Sequence, residues 1–425
     1  MPKVKVSDGS RSTANRPQGN RVNSTAAVIA VCLSEILGVA GYSIVPALLP
    51  QFLDDWSLSG AEGGWLAGMV FAGYMIAVLP LVSITDRVPA RTVYLVASVL
   101  NVIACFGFAL ADGLVLGLLF RTLAGIALAG TYMPGLRALT DGLDGPRRAR
   151  VSAVYISSFT IGASLSFLLG RAGIIFGWRT VFVAAGLLGI LATALAWKAL
   201  PRAAPRAPSA SRPLSGLVAA LQNRAVIILI IGYVAVIWGS SGLRQWIVVF
   251  LTFCAGVSGD IGAGWWIAVA GVIINLLGVP AGFIGNELAI RFGLRPSASM
   301  VFFASALATG LFGLAAPLPL SVIVLLSLIA GFVVQGNFVN LTTGLLGGAH
   351  PQHAGVTMAL YSSIGFGGGF AGTVMFGTIL DQLGGAESGV AWIAAFGSCG
   401  VVCLIGALGV ALLPPHIEYA EGGRA

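Results

Sequence analysis

Hydrophobic residues run along the chain in twelve blocks, and short polar or charged stretches separate them. A helix that rises about 1.5 Å per residue needs about 20 apolar residues to cross a bilayer core of roughly 30 Å. Each block is long enough to do so. We therefore predict twelve transmembrane helices, at 26–50, 64–84, 92–111, 114–136, 152–176, 180–199, 225–252, 264–284, 298–316, 319–343, 355–379 and 390–413.

The longest interruption, 200–223, is rich in Pro, Ala, Ser and Arg and reads as a linker. It divides the chain into an N-terminal six-helix bundle at 25–199 and a C-terminal one at 224–413. Residues 1–24 are polar and basic and lack the apolar core of a cleavable signal, so we expect a disordered tail. A second tail follows at 414–425.

The two bundles carry matching segments at a nearly constant spacing. "RVPAR" (87–91) lies 204 residues before "RFGLR" (291–295), and "LAGIALAG" (123–130) lies 206 before "IAGFVVQG" (329–336). Pro146 lies 205 residues before Pro351. Three matches in order indicate duplication, so we predict an all-α membrane protein with two pseudo-symmetric bundles, an architecture typical of transporters.

Charge is scarce and its placement gives the topology. Only 9% of the residues are charged and 57% are hydrophobic, which leaves too little polar surface for a soluble protein. With a cytoplasmic N-terminus, 19 of the 23 Lys and Arg residues fall in the tails or loops of the cytoplasmic side. We therefore expect a multi-pass protein of the cell inner membrane with both termini in the cytoplasm. The net charge of +8 reflects this topology and gives no reason to expect a nucleic-acid partner.

Three segments resemble motifs of the major facilitator superfamily. "TDRVPARTVYL" (85–95) is similar to that family's loop between helices 2 and 3, although Pro89 replaces the usual Gly. "RTLAGIALAG" (121–130) resembles its helix 4 motif, and "FGWRTVF" (176–182) resembles its turn into helix 6. The resemblance covers most of the chain. It implies alternating access around a central cavity between the two bundles.

The same resemblance implies a cytoplasmic gate. In that arrangement Asp86 faces the start of helix 11, and Arg87 or Arg91 meets Asp141 below helix 4. A carboxylate at a helix N-terminus is stabilised by the helix dipole, so this set would hold the cytoplasmic side closed. The alternative is that the arginines only fix the topology, which leaves Asp86 unexplained.

Arg244 stands in the apolar stretch "GSSGLRQWIVVF" (239–250). A charge near the bilayer centre costs at least ~2.5–3.5 kcal/mol, so each such residue needs water, a partner or a function. Gly239–Gly242 are weak helix formers, and we expect the helix to break there and Arg244 to bind an anionic substrate. The alternative is that Arg244 extends to the lipid headgroups.

Arg121 and Glu35 are also charges within spans, and neither has a counterpart in the other bundle. We place Arg121 in the predicted substrate site, and the family resemblance associates it with proton-coupled transport; the alternative is a structural bond to backbone carbonyls. A low-dielectric environment favours the neutral carboxyl, so Glu35 is a candidate for loading and releasing a proton. The alternatives are a permanently neutral acid or one paired with an arginine.

Neutral side chains complete the predicted substrate site. They are Gln245, Trp246, Asn275 and Asn337, and the amides have interhelical hydrogen bonding as their alternative role. The sequence has no metal-ligand spacing, no catalytic set and no cofactor motif, so we expect no enzyme. We predict a monomeric transporter that takes up a small anion together with protons; the alternative is proton-coupled export of drugs or metabolites.

Overall fold

The computed structural model describes residues 25–85, 87–141, 143, 145–201, 213–260, 262–348 and 353–414. Over these residues it contains eleven helices long and apolar enough to cross a membrane, together with a shorter apolar helix at Thr25–Gly41. The all-α fold of twelve spans in two bundles is confirmed. Both predicted tails, apart from Pro414, and Asp86 lie outside the described residues.

The first bundle consists of eight helices and one 3-10 turn, and six of its segments cross the membrane. They are α1 (Thr25–Gly38), a 3-10 turn (Val39–Gly41), α2 (Ile44–Ala47), α3 (Leu49–Asp55), α4 (Gly60–Thr85), α5 (Ala90–Ala109), α6 (Leu114–Thr140), α7 (Gly145–Phe176) and α8 (Trp178–Ala199). α1, the turn, α2 and α3 together replace the continuous helix that the pattern predicts at 26–50.

The first span is broken because its backbone finds partners on neighbouring helices. The Asn101 amide donates to the Gly38 carbonyl at 2.8 Å, and the Ser43 N–H donates to Ser166 Oγ at 2.8 Å. In lipid a backbone group without an internal partner is costly, so these two side chains allow the helix to open. Pro46 lacks an N–H and also favours the interruption. The break brings Tyr42, with its carbonyl, towards the interior of the bundle.

The second bundle follows the linker, whose last part forms a helix. The elements are α9 (Pro213–Gln222), α10 (Arg224–Ser258), α11 (Gly264–Leu276), α12 (Gly278–Phe292), α13 (Leu294–Gly310), a 3-10 turn (Phe312–Ala315), α14 (Leu320–Gln335), α15 (Asn337–Gly348), α16 (Ala354–Gln382) and α17 (Gly389–Ala411). α11 and α12 form one span, and α14 and α15 form another.

The predicted break at Gly239–Gly242 is wrong, because α10 runs without interruption from Arg224 to Ser258. Its small residues allow close packing instead. A Cβ on Gly242 would lie 2.6 Å from the sulfur of Cys399, and Ser241 Oγ donates to the Gly369 carbonyl at 3.1 Å. Small residues let helices approach closely in a membrane, and this contact with α16 and α17 outweighs their low helix propensity.

The two bundles contact each other towards the end of the molecule that lies away from the basic loops. One end carries the basic residues of the loops, such as Arg91 and Arg291, and we call it the arginine-rich end; the other is the opposite end. α4 packs along α16 from Gly60 at the opposite end to Met75, whose carbonyl accepts a hydrogen bond from Ser363 Oγ at 2.9 Å. α7 meets α11 at Phe167 and Gly271.

Candidate functional site

Arg121 lies inside the first bundle with only 2% of its surface exposed. Its guanidinium binds three backbone carbonyls: Nε donates to Leu66 at 3.3 Å, Nη1 to Tyr42 at 3.2 Å and Nη2 to Ala67 at 3.2 Å. These bonds match the structural alternative for this residue. A guanidinium has five N–H groups, so two remain for a further acceptor. Arg121 thus fastens the broken first span to α4.

Arg244 is half-buried on α10, and its Nη2 donates to the Asn275 side-chain oxygen on α11. Asn275 is buried and is itself oriented by a bond from its Nδ2 to the Gly271 carbonyl at 2.8 Å. The structure therefore brings together two of the predicted site residues. Arg244 precedes the end of α10 by about 21 Å of helix.

Tyr42 connects the two arginines. Its carbonyl binds Arg121, and its phenol lies within electrostatic reach of both guanidinium groups. Within the described part of the chain, neither Arg121 nor Arg244 has a carboxylate within salt-bridge distance. Sequence reasoning did not select Tyr42, although the Gly-rich stretch before it and Pro46 after it were signals for a break in the span.

Half-buried aromatic rings surround Tyr42. The Tyr42 and Phe159 rings meet edge to face with centroids 5.5 Å apart, and Tyr132 meets Phe159 at 5.4 Å. Phe366 reaches the same cluster from the second bundle and stacks on Tyr74 at 3.9 Å. Edge-to-face packing leaves ring faces available for further stacking. Tyr42, whose carbonyl binds Arg121, thus belongs to an aromatic cluster to which the second bundle contributes Phe366.

Glu35 is buried on α1 and is 1% exposed. Its Oε2 accepts hydrogen bonds from Tyr155 at 2.9 Å and from Tyr94 at 3.4 Å, whereas its Oε1 has no partner. Among the described residues it has no cationic partner within salt-bridge distance, so it is not an arginine-paired acid there. Sequence reasoning missed both tyrosines, because an aromatic residue in an apolar span does not stand out.

A single cavity connects Glu35 with Arg121. It has a volume of about 680 Å³, counted with its part open to the surroundings, and its lining comes from the first bundle alone. Tyr42, Asn101 and Thr131 also line it. Arg244 and Asn275 lie outside this lining and approach from the second bundle.

The remaining predicted substrate residues lie elsewhere in the second bundle. Trp246 is fully buried against α16, where its Nε1 donates to the Thr373 carbonyl at 3.1 Å and its ring stacks on Phe376. Gln245 is buried and its Oε1 has no partner. Asn337 donates to the Ala298 carbonyl at 3.0 Å, a contact between α15 and α13 of the interhelical kind.

At the opposite end, Asp381 joins the two bundles. Its carboxylate accepts hydrogen bonds from the Gly60 N–H at 2.6 Å and the Ala61 N–H at 2.7 Å, at the first turn of α4. Gly377 permits this approach, because a Cβ there would lie 2.0 Å from the Gly60 carbonyl oxygen. A carboxylate at a helix N-terminus is stabilised by the helix dipole. Sequence reasoning did not select Asp381.

Three residues of the predicted cytoplasmic gate, Arg87, Arg91 and Asp141, are described and lie at the arginine-rich end. Arg91 donates to the Trp197 carbonyl at 2.5 Å and lies over the Trp197 ring. Asp141 directly follows the last residue of α6, and its Oδ2 lies 3.8 Å from Arg137 Nε. Arg87 is exposed, and Asp86 lies outside the described residues. The gate stays a prediction.

This arrangement can be compared with known proteins. The model of the major facilitator superfamily matches residues 31–373, which is most of the chain. The chain belongs to the major facilitator superfamily. The expectation of a transporter rather than an enzyme is thereby confirmed, and so is that of a multi-pass membrane protein.

Three relatives of different function match parts of this superfamily member. They are the niacin transporter NiaP of Acinetobacter baylyi (25% identity over 35% of this chain), the gallate transporter of Pseudomonas putida (30% over 42%) and the multidrug resistance protein MdtL of Escherichia coli (29% over 41%). The matches span 34–45% of the relatives' lengths.

Solved structures of low sequence identity share the fold. A bacterial homologue of the human lysosomal transporter Spinster, in an inward-facing and occupied conformation, superposes with a TM-score of 0.76 at 17% identity, covering 95% of this chain and 100% of the other. A mutant of the nucleoside transporter NupG superposes with a TM-score of 0.69 at 14% identity, covering 91% of this chain and 99% of the other.

Proposed function

We propose that the protein is a symporter that takes up a small organic anion together with protons. The observation that carries the proposal is the pair Arg121 and Arg244, whose guanidinium groups approach Tyr42 from the two bundles. In the described chain neither has a carboxylate partner. Uncompensated buried charges are costly, so a bound anion would stabilise both, and it would also draw the two bundles together.

The substrate class that fits best is a small aromatic carboxylate. Tyr42 contacts Arg121 through its carbonyl and packs with Phe159 and Tyr132 in one aromatic cluster, so a planar ring and a negative group can be bound at once. Asn275, held by Arg244, can contribute an amide. Niacin and gallate, which name two of the relatives, are both small aromatic carboxylates.

Glu35 is the proposed proton site. It lines the same cavity as Arg121 and has only hydroxyl partners, so it can exchange a proton without breaking an ion pair. The basic loops support a cytoplasmic arginine-rich end in the inner membrane, with Asp86, Arg87, Arg91 and Asp141 as the gate there. We expect the protein to act as a monomer.

Uptake of radiolabelled nicotinate into proteoliposomes tests this proposal. An inward pH gradient should drive accumulation in the wild type. Arg244→Ala should reduce uptake at least about tenfold, since it removes a charge-assisted bond to the substrate. Glu35→Gln should retain exchange and lose the response to the gradient. Uptake by Arg244→Ala at the wild-type level would refute the anion site.

Export of drugs or metabolites is the second candidate function. The match to MdtL favours it. Against it, the only proline of α7 is Pro146 in the first turn, whereas exporters of the family carry a Gly-Pro motif within this helix. Resistance to cationic dyes on overexpression, without uptake of nicotinate, would favour export.

A further inference from the structure

The hydroxyl group of Tyr155 lies between two acceptors. It is 2.9 Å from Glu35 Oε2 and 3.1 Å from the backbone carbonyl oxygen of Thr131 on α6. A tyrosine hydroxyl has one proton to donate, and a carbonyl or an ionised carboxylate can only accept. The proton of Tyr155 therefore cannot be donated fully to Glu35 and to Thr131 at the same time while Glu35 is ionised.

The other hydroxyl groups around Glu35 form no hydrogen bond with α6 in the described chain. Ser34 Oγ donates to the Ala192 carbonyl at 2.7 Å, so the single proton of Tyr94 is available either to Ser34 Oγ, 3.1 Å away, or to Glu35 Oε2. Tyr94 is farther from Glu35 Oε2, at 3.4 Å. Tyr155 is thus the hydroxyl that contacts both Glu35 and α6.

Protonation of Glu35 satisfies both contacts of Tyr155. A neutral carboxyl donates from Oε2 to the phenol oxygen, and Tyr155 then donates its own proton to the Thr131 carbonyl. When Glu35 releases its proton, Tyr155 turns to the carboxylate, because a bond to an ionised acceptor is the stronger one. Thr131 then loses this bond. Tyr155 keeps its own proton throughout, and only the direction of its O–H changes.

The titratable groups that face Glu35 are a thiol and three phenols. Cys32 lies on α1 itself, Tyr94 on α5, Tyr132 on α6 and Tyr155 on α7. From α8 the nearby polar group is the Ala192 carbonyl, which accepts a hydrogen bond from Ser34. All four titratable groups are neutral thiols or phenols near neutral pH. Glu35 is therefore the group in this set that gains or loses a proton near neutral pH.

Helix α6 is suited to receive this signal. Pro134 lacks the N–H that would bond the Gly130 carbonyl, one residue before Thr131, and Gly135 makes room for the phenol, since a Cβ there would lie 2.1 Å from the Tyr155 oxygen. Arg121 lies on the same helix. We propose, on the basis of the proposed function, that Tyr155 is the positioning residue of proton coupling. Its hydrogen bond to Thr131 forms only when Glu35 is protonated. This bond therefore connects the proton site to the helix that carries Arg121.

The test compares Tyr155→Phe with Tyr94→Phe in proteoliposomes. Both variants remove one hydroxyl beside Glu35, but in the described chain the Tyr94 hydroxyl forms no hydrogen bond with Thr131. Nicotinate exchange without a gradient and accumulation driven by a pH gradient are measured in the same preparation. We expect Tyr155→Phe to retain exchange and to lose gradient-driven accumulation about tenfold, whereas Tyr94→Phe, which keeps the contact between Tyr155 and Thr131, should lose clearly less accumulation. Gly135→Ala, which displaces the phenol, should behave like Tyr155→Phe.

The double variant Glu35→Gln/Tyr155→Phe should match Glu35→Gln alone, because Tyr155 acts through Glu35. A further loss in the double variant, or normal accumulation by Tyr155→Phe, would overturn this inference and leave the symport proposal standing. Absence of gradient-driven accumulation in the wild type would overturn both. A loss of exchange as well as accumulation in Tyr155→Phe and Gly135→Ala would mean a structural role and also overturn the inference.

Discussion

Removal of the Asp381 carboxylate should loosen the end at which the two bundles meet. Asp381 accepts hydrogen bonds from Gly60 and Ala61 on the other bundle, at 2.6 and 2.7 Å. A hydrogen bond to a charged group contributes about 1.5–3 kcal/mol when buried, but water reaches this exposed carboxylate and replaces part of it. Losses at helix N-caps are about 0.5–2 kcal/mol, so we take about 1–2 kcal/mol for Asp381→Ala.

That free energy shifts the ratio of closed to open molecules at this end by about 5–30-fold. Spin labels are attached to Asp54→Cys and Glu387→Cys, one exposed position in each bundle, and the distance between the two labels is measured by pulsed electron paramagnetic resonance. The native cysteines in the described chain are buried and should label little. Asp381→Ala should populate longer distances.

Asp260→Ala is the matched control, because Asp260 is an exposed acid at the same end that bonds within its own loop, to the Gly262 N–H. It should leave the distances unchanged. An identical distance distribution for both variants would refute the role of Asp381 in closing this end.

Two further predictions concern α6. Arg121→Lys should reduce nicotinate uptake about tenfold or more, because an ammonium group cannot bind three carbonyls in a guanidinium's geometry; the exposed Arg179→Lys serves as control and should transport normally. Gly125→Ala should lower the stability of the purified protein by about 1–3 kcal/mol, because its Cβ would lie 2.1 Å from the Val70 carbonyl; an unchanged melting temperature would contradict this packing.

The sequence predicts the fold well because the lipid environment constrains it strongly. A span must be long, apolar and internally hydrogen-bonded, and these requirements can be read from hydropathy alone. Local helix propensity is a weaker guide. Gly239–Gly242 predicted a break that α10 does not have, whereas the break after Gly38 depends on Asn101 and Ser166, which are distant in sequence.

The candidate site is predicted in its charged members and in Asn275, but not in its aromatic members. Arg121, Arg244 and Glu35 stand out because ionisable residues are rare in spans. Their partners do not stand out: Tyr42 and Tyr155 are aromatic residues among apolar ones, and their roles depend on which helices pack together. Trp246 and Asn337 are predicted at the substrate site because one is aromatic and the other carries an amide. The structure places both in contacts between helices.

Binding of nicotinate and of nicotinamide to the purified protein tests the central claim most directly. The two ligands have nearly the same shape, and only nicotinate carries a negative charge for Arg121 and Arg244. The account predicts that nicotinate binds at least about tenfold more tightly and that Arg244→Ala abolishes the difference. Equal affinity for both ligands, or an unchanged preference in Arg244→Ala, would contradict an anion site between the two arginines.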